Sequence, residues 1–356
     1  TLERVALDTE FIKRDTYFPI LALVQVNTGE AIYLVDAKKL DLTDFWQVLI
    51  EIPQMIWYAC GEDLGIFYLL ADCPSLCNVF DVQIGVAYLT GNLQVGYSRA
   101  VSDVLGVALA KTESQSDWLT RPLTKAQESY ASDDVRYLLA LHDGVCAALQ
   151  ARGLLTAAVE DSHTYAEELH KLATLNDEER YLNYISATFN HEQITVLQAL
   201  VAWREALART TNQPTSFIVS KQALREIIET LPTSTKTLAY TTINRAALRL
   251  YGDEILKIIQ SSRALPIEER PILPLTVPLS LEKAVKELLQ ALTEQESKRT
   301  GIPAKLLLKG RWLDELFYAA IQAEGHLHTQ ALLGYRHVWL SETVLPALQQ
   351  HFATEN

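Results

Sequence analysis

The first 60 residues consist of short apolar runs separated by polar turn residues. Four of these runs have the length and composition of β-strands, at 4–10, 20–26, 31–36 and 55–60. The connection between the second and third runs contains Asn27 and Gly29, which are typical of a hairpin turn. The pattern therefore predicts a sheet that includes an antiparallel pair.

The spacing of the apolar residues changes from Glu62 onward. A helical interval separates the apolar residues Leu64, Phe67, Tyr68 and Ala71. Helical patterns continue at 84–90, 100–105 and 125–150, and no convincing strand pattern follows Ala166. Strands followed by helices predict a mixed α/β domain, and the remainder of the chain is predicted to be all-helical.

A proline-rich segment divides the helical part of the chain. Residues 263–278 contain four prolines, a density that a helix interior does not tolerate, so we expect an extended connector there. The segments on either side are similar in length. The predicted organisation is an α/β domain at 1–165, a helical linker at 166–189, a helical domain at 190–262, the connector, and a second helical domain at 279–353.

The net charge of the 356-residue chain is −13, which by itself argues against a polyanionic partner. The charge is unevenly distributed, because residues 1–150 carry −10 whereas residues 190–262 carry +2. A composition of 49% hydrophobic and 21% charged residues excludes a disordered chain. The acidity therefore belongs mainly to the predicted α/β domain, and the first helical domain has a positive balance.

Targeting and redox signals are missing from the sequence. No segment has the roughly 18 to 20 consecutive apolar residues that a membrane span needs, and the N-terminus lacks the layout of a signal peptide. Because the strand pattern begins almost at once, we expect the numbered chain to start inside its first domain. The four cysteines form no C-x-x-C pair and are interpreted as ordinary core or surface thiols. These features predict a soluble intracellular protein without a membrane partner.

Asp8 and Glu10 end the first predicted strand. Side chains alternate along a strand, so these two carboxylates project from one face while Thr9 points away. Two carboxylates on one face repel each other unless a cation lies between them. Such a triplet is also common by chance, so by itself it leaves a metal site and an ordinary acidic surface both open.

Three further residues have patterns that allow two interpretations. Asp63 follows the fourth strand, where an acid in the first turn of a helix is favoured by the helix dipole whatever its function. Tyr130 and Asp134 are spaced i, i+4, so they share one face of a helix. They are either an ordinary surface pair or a metal-binding carboxylate beside a phenol that can hydrogen-bond an attacking water.

Together, these residues resemble the DEDD exonucleases with a Tyr-x3-Asp third motif, and specifically the ribonuclease D family. Four segments carry the resemblance, at 7–11, 59–64, 80–83 and 116–138. Tyr58 departs from the histidine that many relatives have at this place, which puts a contact near the acids in doubt but leaves the acids intact. The family implies a ribonuclease-H-like exonuclease domain, with a mixed central sheet flanked by helices.

The helical part resembles the HRDC domain, a nucleic-acid-binding module shared by the ribonuclease D family and RecQ helicases. This resemblance rests on residues 214–224, 231–232 and 250–256. Residues 279–353 look like a second, more diverged copy, with 301–307 in the place of the Phe-Ile-Val-Ser segment. The expected fold class is therefore the α/β exonuclease domain followed by two all-α HRDC domains.

The resemblance implies a site for two divalent cations, Mg²⁺ or Mn²⁺. In it, Asp8 would bridge both ions, Glu10 and Asp134 would complete one, and Asp63 would serve the other largely through water. Tyr130 would orient the attacking water. A donor set of carboxylates suits these hard cations better than zinc. The implied reaction is 3′-to-5′ hydrolysis of RNA by a two-metal mechanism, with release of nucleoside 5′-monophosphates.

Basic residues supply candidate RNA contacts, and for each of them a solvated surface charge is the alternative. They are Lys111 and Arg121 near the acidic motifs, and Lys221, Arg225, Arg245, Arg249 and Lys257 in the first helical domain. The family implies a bacterial cytoplasmic enzyme whose partner is RNA, such as a tRNA precursor with a 3′ extension; no protein partner is implied. A DNA exonuclease of the same superfamily and a catalytically inactive nucleic-acid-binding protein remain alternatives.

Overall fold

The computed structural model describes residues 2–109, 116–186, 188–273, 279–321 and 326–354. Within these residues, five strands form one sheet in the order β3-β2-β1-β4-β5. The strands are β1 (Arg4–Ile12), β2 (Ile20–Asn27), β3 (Ile32–Asp36), β4 (Gln54–Trp57) and β5 (Val79–Asp81). β2 and β3 are antiparallel, which confirms the predicted hairpin, whereas β4 pairs in parallel with both β1 and β5.

Both faces of the sheet are covered, because alternate residues of β1 enter different apolar clusters. Ala6 packs with residues of α3 (Val82–Thr90) and α6 (Leu138–Ala151). Val5 and Leu7 pack on the opposite side with residues of α1 (Thr43–Ile50) and α2 (Gly61–Ala71). Burial on both faces explains the continuous apolar run at 5–7 in β1. The two carboxylates, Asp8 and Glu10, follow this run.

Further helices complete the α/β part of the chain. They are α4 (Tyr97–Leu105), α5 (Lys125–Arg136) and α7 (Leu155–Thr174). The sequence pattern predicts one helix over 125–150, but the structure has two, α5 and α6, separated at Tyr137. α7 continues through residue 165, where the sequence suggests a domain limit. The five domain ranges therefore stay a prediction.

Contacts between residues divide the chain into two compact units. The first contains the described residues of Thr1–Phe11, Leu21–Ala173 and Val277–Asn356, and the second those of Ile12–Ile20 and Thr174–Thr276. The helices of the second unit are α8 (His191–Thr211), α9 (Thr215–Ile218), α10 (Lys221–Thr230), α11 (Thr235–Leu238) and α12 (Arg245–Arg263), with 3₁₀ turns at Arg180–Tyr184 and Ile267–Glu269. Beyond Ala166 the described residues contain helices and turns but no strand, as the sequence predicts.

The C-terminal helices belong to the first unit. They are α13 (Leu279–Thr300), α14 (Ala304–Leu307), α15 (Leu313–Ile321), α16 (Gln330–Leu333), α17 (His337–Trp339) and α18 (Leu345–Thr354), with a 3₁₀ turn at Gly310–Trp312 and a π-helical turn at Leu340–Val344. Leu306 and Leu316 share one apolar cluster with Phe80 and Leu149 of the α/β part. A fully buried Arg336 also forms two hydrogen bonds, of 2.6 and 2.8 Å, with the Asp161 carboxylate of α7. The C-terminal helices and the sheet domain therefore share a core.

The C-terminal helices repeat a local pattern found in the second unit. α8 is capped at its C-terminal end by Asn212, whose φ of 47° is left-handed, and the four-residue helix α9 begins just beyond Pro214. α13 is likewise followed by a left-handed residue, Gly301, with φ of 76°, and then by Pro303 and the four-residue helix α14. A left-handed residue is a common helix stop, and proline cannot continue the helix. The two segments therefore share a local geometry, and the second HRDC copy stays a prediction.

Among the described residues, no helix is both long enough and apolar enough to span a membrane.

Candidate active site

β1 carries the first two candidate acids to the edge of the core. Val5, Ala6 and Leu7 are fully buried, whereas Asp8 and Glu10 are partly exposed. Thr9 between them is buried, so the strand alternation predicted from the sequence is confirmed. The apolar start of the strand thus fixes the backbone from which both carboxylates project.

α5 carries the third acid and the phenol. Its first turn is closed by a capping box, in which Thr124 and Gln127 bond reciprocally to each other's backbone amides. Tyr130 and Asp134 lie one turn apart on this helix, and the Tyr130 hydroxyl donates a hydrogen bond to the Asp134 carboxylate. The i, i+4 spacing therefore produces a direct contact, as the sequence pattern suggests.

Asp63 lies in the first turn of α2 and is held from β1. The Thr9 hydroxyl donates a hydrogen bond to the Asp63 carboxylate. The turn before α2 is fixed by Asp81 at the end of β5, whose carboxylate accepts from the amides of Ala59 at 2.9 Å and Cys60 at 3.1 Å. Ala59 has a left-handed φ of 58°, which a non-glycine residue adopts at a cost, so these bonds hold a strained turn in place.

Three of the four predicted acids converge closely. Carboxylate oxygens of Asp8, Glu10 and Asp134 lie within 4.8 Å of one another, and this group is able to hold a metal ion. Asp63 is outside this close group, but its charge reaches Asp8, where it contributes to the rise of the Asp8 pKa. The structure therefore places a three-acid cluster beside the second half of the central strand β1, with a fourth acid next to it.

The pKa values in the cluster show that negative charge is unfavourable there. Burial, followed by repulsion from Asp134 and Asp63, raises the pKa of Glu10 to about 8. Burial is also the main cause that raises the pKa of Asp134 to about 7 and that of Asp63 to about 6. The pKa of Asp8 rises well above its usual range through burial and the charges of all three neighbours. Acids arranged in this way either retain protons or share a cation.

Two interactions that hold the acids were missed by the sequence reasoning. The Thr9 hydroxyl, which the strand pattern simply turns away from the carboxylates, contacts Asp63. Asp81 belongs to the matched segment at 80–83 but received no role. The available signal was that Asp81 directly follows an apolar pair, which indicates a buried position at the end of a strand. A buried carboxylate needs hydrogen-bond donors, so a structural role in binding nearby amides could have been predicted.

The two basic residues predicted near the acids have different outcomes. Lys111 lies outside the described residues. The Arg121 guanidinium bonds to the Asp36 carboxylate at 2.8 and 2.9 Å and to backbone carbonyls that include that of Ala22, at 2.8 Å. Its side chain is only 14% exposed. These contacts favour a structural role for Arg121 over a phosphate contact.

In the second unit, two of the predicted RNA-binding residues lie at one cavity. Lys221 and Arg225, a turn apart on α10, line a cavity of about 500 Å³ together with the aromatic residues Tyr184 and Phe189. The Lys221 ammonium lies 5.9 Å from the centre of the Tyr184 ring. Arg225 also pairs with Glu229 at 2.8 Å. Basic and aromatic side chains are combined here, as in many single-strand binding surfaces.

The remaining basic candidates lie on α12. Arg245, Arg249 and Lys257 are all exposed. Arg245 and Arg249 share one helix face through their i, i+4 spacing. Lys257 lines a separate cavity beside Arg263. The five predicted basic residues of this unit are therefore distributed over more than one surface.

Two family models match separate parts of the chain. Residues 1–150 match a model described as 3′-5′ exonuclease, and residues 193–259 match the HRDC domain. Ribonuclease D of Pseudomonas paraeruginosa is 30% identical over 351 residues, a match that covers 97% of this chain and 92% of that protein. The chain belongs to the ribonuclease D family.

Other ribonuclease D proteins match the chain over similar lengths. Ribonuclease D of Escherichia coli K12 is 28% identical over 357 residues, covering 98% of this chain and 93% of that protein. The crystal structure of E. coli RNase D matches with a TM-score of 0.87 at 27% identity, covering 99% of this chain and 94% of that one. This member of the ribonuclease D family is a 3′-5′ exoribonuclease with the predicted fold class, an α/β exonuclease domain followed by HRDC-type helices.

Proposed function

We propose that this exoribonuclease hydrolyses RNA from the 3′ end by a two-metal-ion mechanism at Asp8, Glu10, Asp63 and Asp134. The observation that carries the proposal is the convergence of three carboxylates within 4.8 Å, with their pKa values raised by burial and mutual repulsion. A divalent cation would remove this repulsion, and a donor set made only of carboxylates fits Mg²⁺ or Mn²⁺. The residues present therefore fit the cofactor that the family implies.

Bound divalent cations supply an activated water and neutralise charge at the phosphoryl group. Asp8, Glu10 and Asp134 would hold them, with Asp63 as the outer acid. The Tyr130 hydroxyl donates to Asp134, which supports the proposed role of Tyr130 in orienting the attacking water. Thr9 and Asp81 hold the Asp63 turn and so preserve the spacing of the acids. The products of this reaction are nucleoside 5′-monophosphates.

The proposed substrate is a structured RNA with a 3′ extension, such as a tRNA precursor in the bacterial cytoplasm. The E. coli protein of similar structure is an exoribonuclease involved in structured RNA processing. Lys221 and Arg225, beside Tyr184 and Phe189, offer the best supported RNA contact, because this cavity combines phosphate-binding and base-stacking groups. Arg245, Arg249 and Lys257 are proposed as weaker, outlying contacts, and Arg121 is not included.

One assay tests the proposal against its alternatives. A 3′-extended tRNA and a DNA oligonucleotide of the same 3′ sequence are incubated with the protein in Mg²⁺, with and without chelator. We expect mononucleotide release from the RNA, its loss in chelator, and its loss in Asp134→Asn. Asp103→Asn, an exposed acid paired with Arg99, serves as the matched control and should retain activity.

The other outcomes identify the alternatives. Faster degradation of the DNA would favour a DNA exonuclease. Failure to release mononucleotides in either Mg²⁺ or Mn²⁺ would favour a nucleic-acid-binding protein without activity. Equal activity in Asp134→Asn and the wild type would contradict the site assignment itself.

A further inference from the structure

The helix that carries Tyr130 and Asp134 ends at an unusual break. In an unbroken helix the Tyr137 amide would donate to the Asp133 carbonyl, four residues earlier. Here the Tyr137 amide donates to the Val135 carbonyl and also interacts with the hydroxyl of Tyr97. The same Tyr97 hydroxyl donates to the Asp133 carbonyl at 3.2 Å. A side-chain hydroxyl thus stands between the two groups of a broken helical hydrogen bond, which is a known cause of a helix kink.

A second side chain holds the next carbonyls of the same helix end. The Asn27 amide, at the end of β2, donates to the Val135 carbonyl at 2.8 Å and to the Arg136 carbonyl at 3.3 Å. The last carbonyls of a helix have no partner within the helix and need donors from elsewhere. At this end, Tyr97 and Asn27 provide those donors from α4 and β2.

Tyr97 is itself held by Tyr58, the residue that follows β4. Its ring packs edge-to-face on Tyr58, with the ring centres 5.3 Å apart and the planes at 68°. The loop just before Tyr97 is anchored at the Val95 carbonyl, which accepts from the Tyr58 hydroxyl at 2.6 Å and from the Gln83 amide at 3.0 Å. Tyr58 is therefore directed to this loop and supports Tyr97.

We propose that Tyr97 is a positioning residue for Asp134. By binding the Asp133 carbonyl at the break after α5, Tyr97 fixes the backbone from which the Asp134 carboxylate projects into the acid cluster. Asp134 is the next residue after the carbonyl that Tyr97 binds, so a shift of that peptide moves the carboxylate. Groups that orient metal-binding side chains typically change metal affinity or activity about 10- to 100-fold when removed. The proposal rests on the proposed function, since it requires Asp134 to bind a cation.

The test removes only the hydroxyl, in Tyr97→Phe, and measures Mn²⁺ affinity by calorimetry as well as turnover. The ring that packs on Tyr58 stays, so the fold is retained. We expect Mn²⁺ affinity to fall about 10-fold and turnover to fall with it, while KM for RNA changes little. In an Asp134→Asn background, Tyr97→Phe should cause no further loss of Mn²⁺ affinity, because the ligand it positions is already missing.

Tyr68→Phe is the matched control. The Tyr68 hydroxyl of α2 also bridges a backbone carbonyl and an amide, donating to Ala166 at 3.1 Å and accepting from Leu76 at 3.2 Å, and neither of these backbone groups belongs to the helix that carries Asp134. Both variants should lower the melting temperature similarly, and only Tyr97→Phe should weaken Mn²⁺ binding.

Three outcomes would overturn the proposal. They are wild-type Mn²⁺ affinity in Tyr97→Phe, an equal affinity loss in Tyr68→Phe, and an additional loss from Tyr97→Phe in the Asp134→Asn background. If the unaltered protein binds no Mn²⁺, the proposed function fails together with this inference. If it binds Mn²⁺ and Tyr97→Phe binds equally well, only the positioning role fails.

Discussion

Replacing Glu10 by glutamine should stabilise the metal-free protein while abolishing its activity. Burial and the charges of Asp134 and Asp63 raise the pKa of Glu10 from 4.5 to about 8. A group whose pKa is raised on folding contributes its stability fully below the unfolded pKa, and that stability is lost as the pH rises through the folded pKa. Between pH 4.5 and 8, the folded protein therefore binds a proton that the unfolded chain releases.

The size of the effect follows from this pKa change. Each pKa unit corresponds to about 1.4 kcal/mol. Glu10 therefore lowers the free energy of unfolding of the metal-free protein by roughly 1 kcal/mol at pH 5 and by roughly 4 kcal/mol at pH 8. Glutamine has nearly the same shape and does not titrate. The stability of the Glu10→Gln variant should therefore exceed that of the wild type by an amount that grows with pH. At pH 8 this difference corresponds to a melting temperature roughly 5 to 15 °C higher.

Thermal unfolding of both proteins in chelator, from pH 5 to pH 8, measures this difference. Glu51→Gln, at an exposed position after α1, is the matched control and should show no growing advantage. Saturating Mg²⁺ should reduce or reverse the stability difference between Glu10→Gln and the wild type. The reason is that a cation that binds only the folded state stabilises the wild type more than a variant with one ligand fewer. A Glu10→Gln protein that is less stable than wild type at pH 8 in chelator would refute the reasoning.

Three further predictions concern the phenol, the RNA contact and the domain core. Tyr130→Phe should lose much of the rate yet keep wild-type Mn²⁺ affinity in calorimetry; an unchanged rate would remove its role with water. In filter binding, the logarithm of the RNA-binding constant falls with the logarithm of the salt concentration, and replacing Lys221 and Arg225 by alanine should make this slope shallower by about 1 to 2. An unchanged slope would exclude phosphate contacts there. Arg336→Met leaves the Asp161 carboxylate buried without its partner and should lower stability by about 3 to 5 kcal/mol, whereas an unchanged melting temperature would show that the pair is dispensable.

Local patterns predict much of the sheet and of the acid cluster. β1 and its two acids follow from strand alternation, and Tyr130 with Asp134 follows from helical spacing, since both depend only on nearby residues. β5 has three residues, too few to show a period. The break of α5 at Tyr137 is also invisible in the sequence pattern, because the Tyr97 hydroxyl that stands in it comes from a residue 40 positions away.

Long-range contacts likewise decide which charged residues remain available for RNA. Arg121 looks like a free cation in the sequence, yet Asp36 and the Ala22 carbonyl occupy its guanidinium. Lys221 and Arg225 keep an accessible position because α10 turns their face toward a cavity. The sequence predicts the identity of such residues, and tertiary packing determines their partners.

The central claim, that the acid cluster binds the cations that cleave RNA, is tested most directly by Asp8→Asn. Mononucleotide release from a 3′-extended RNA in Mg²⁺ and the affinity for that RNA are measured on the same preparation. Release should fall to the level that the wild type shows in chelator, while RNA affinity stays near the wild-type value, because the substitution removes a metal ligand and no RNA contact. Near wild-type release by Asp8→Asn in Mg²⁺ would contradict the account.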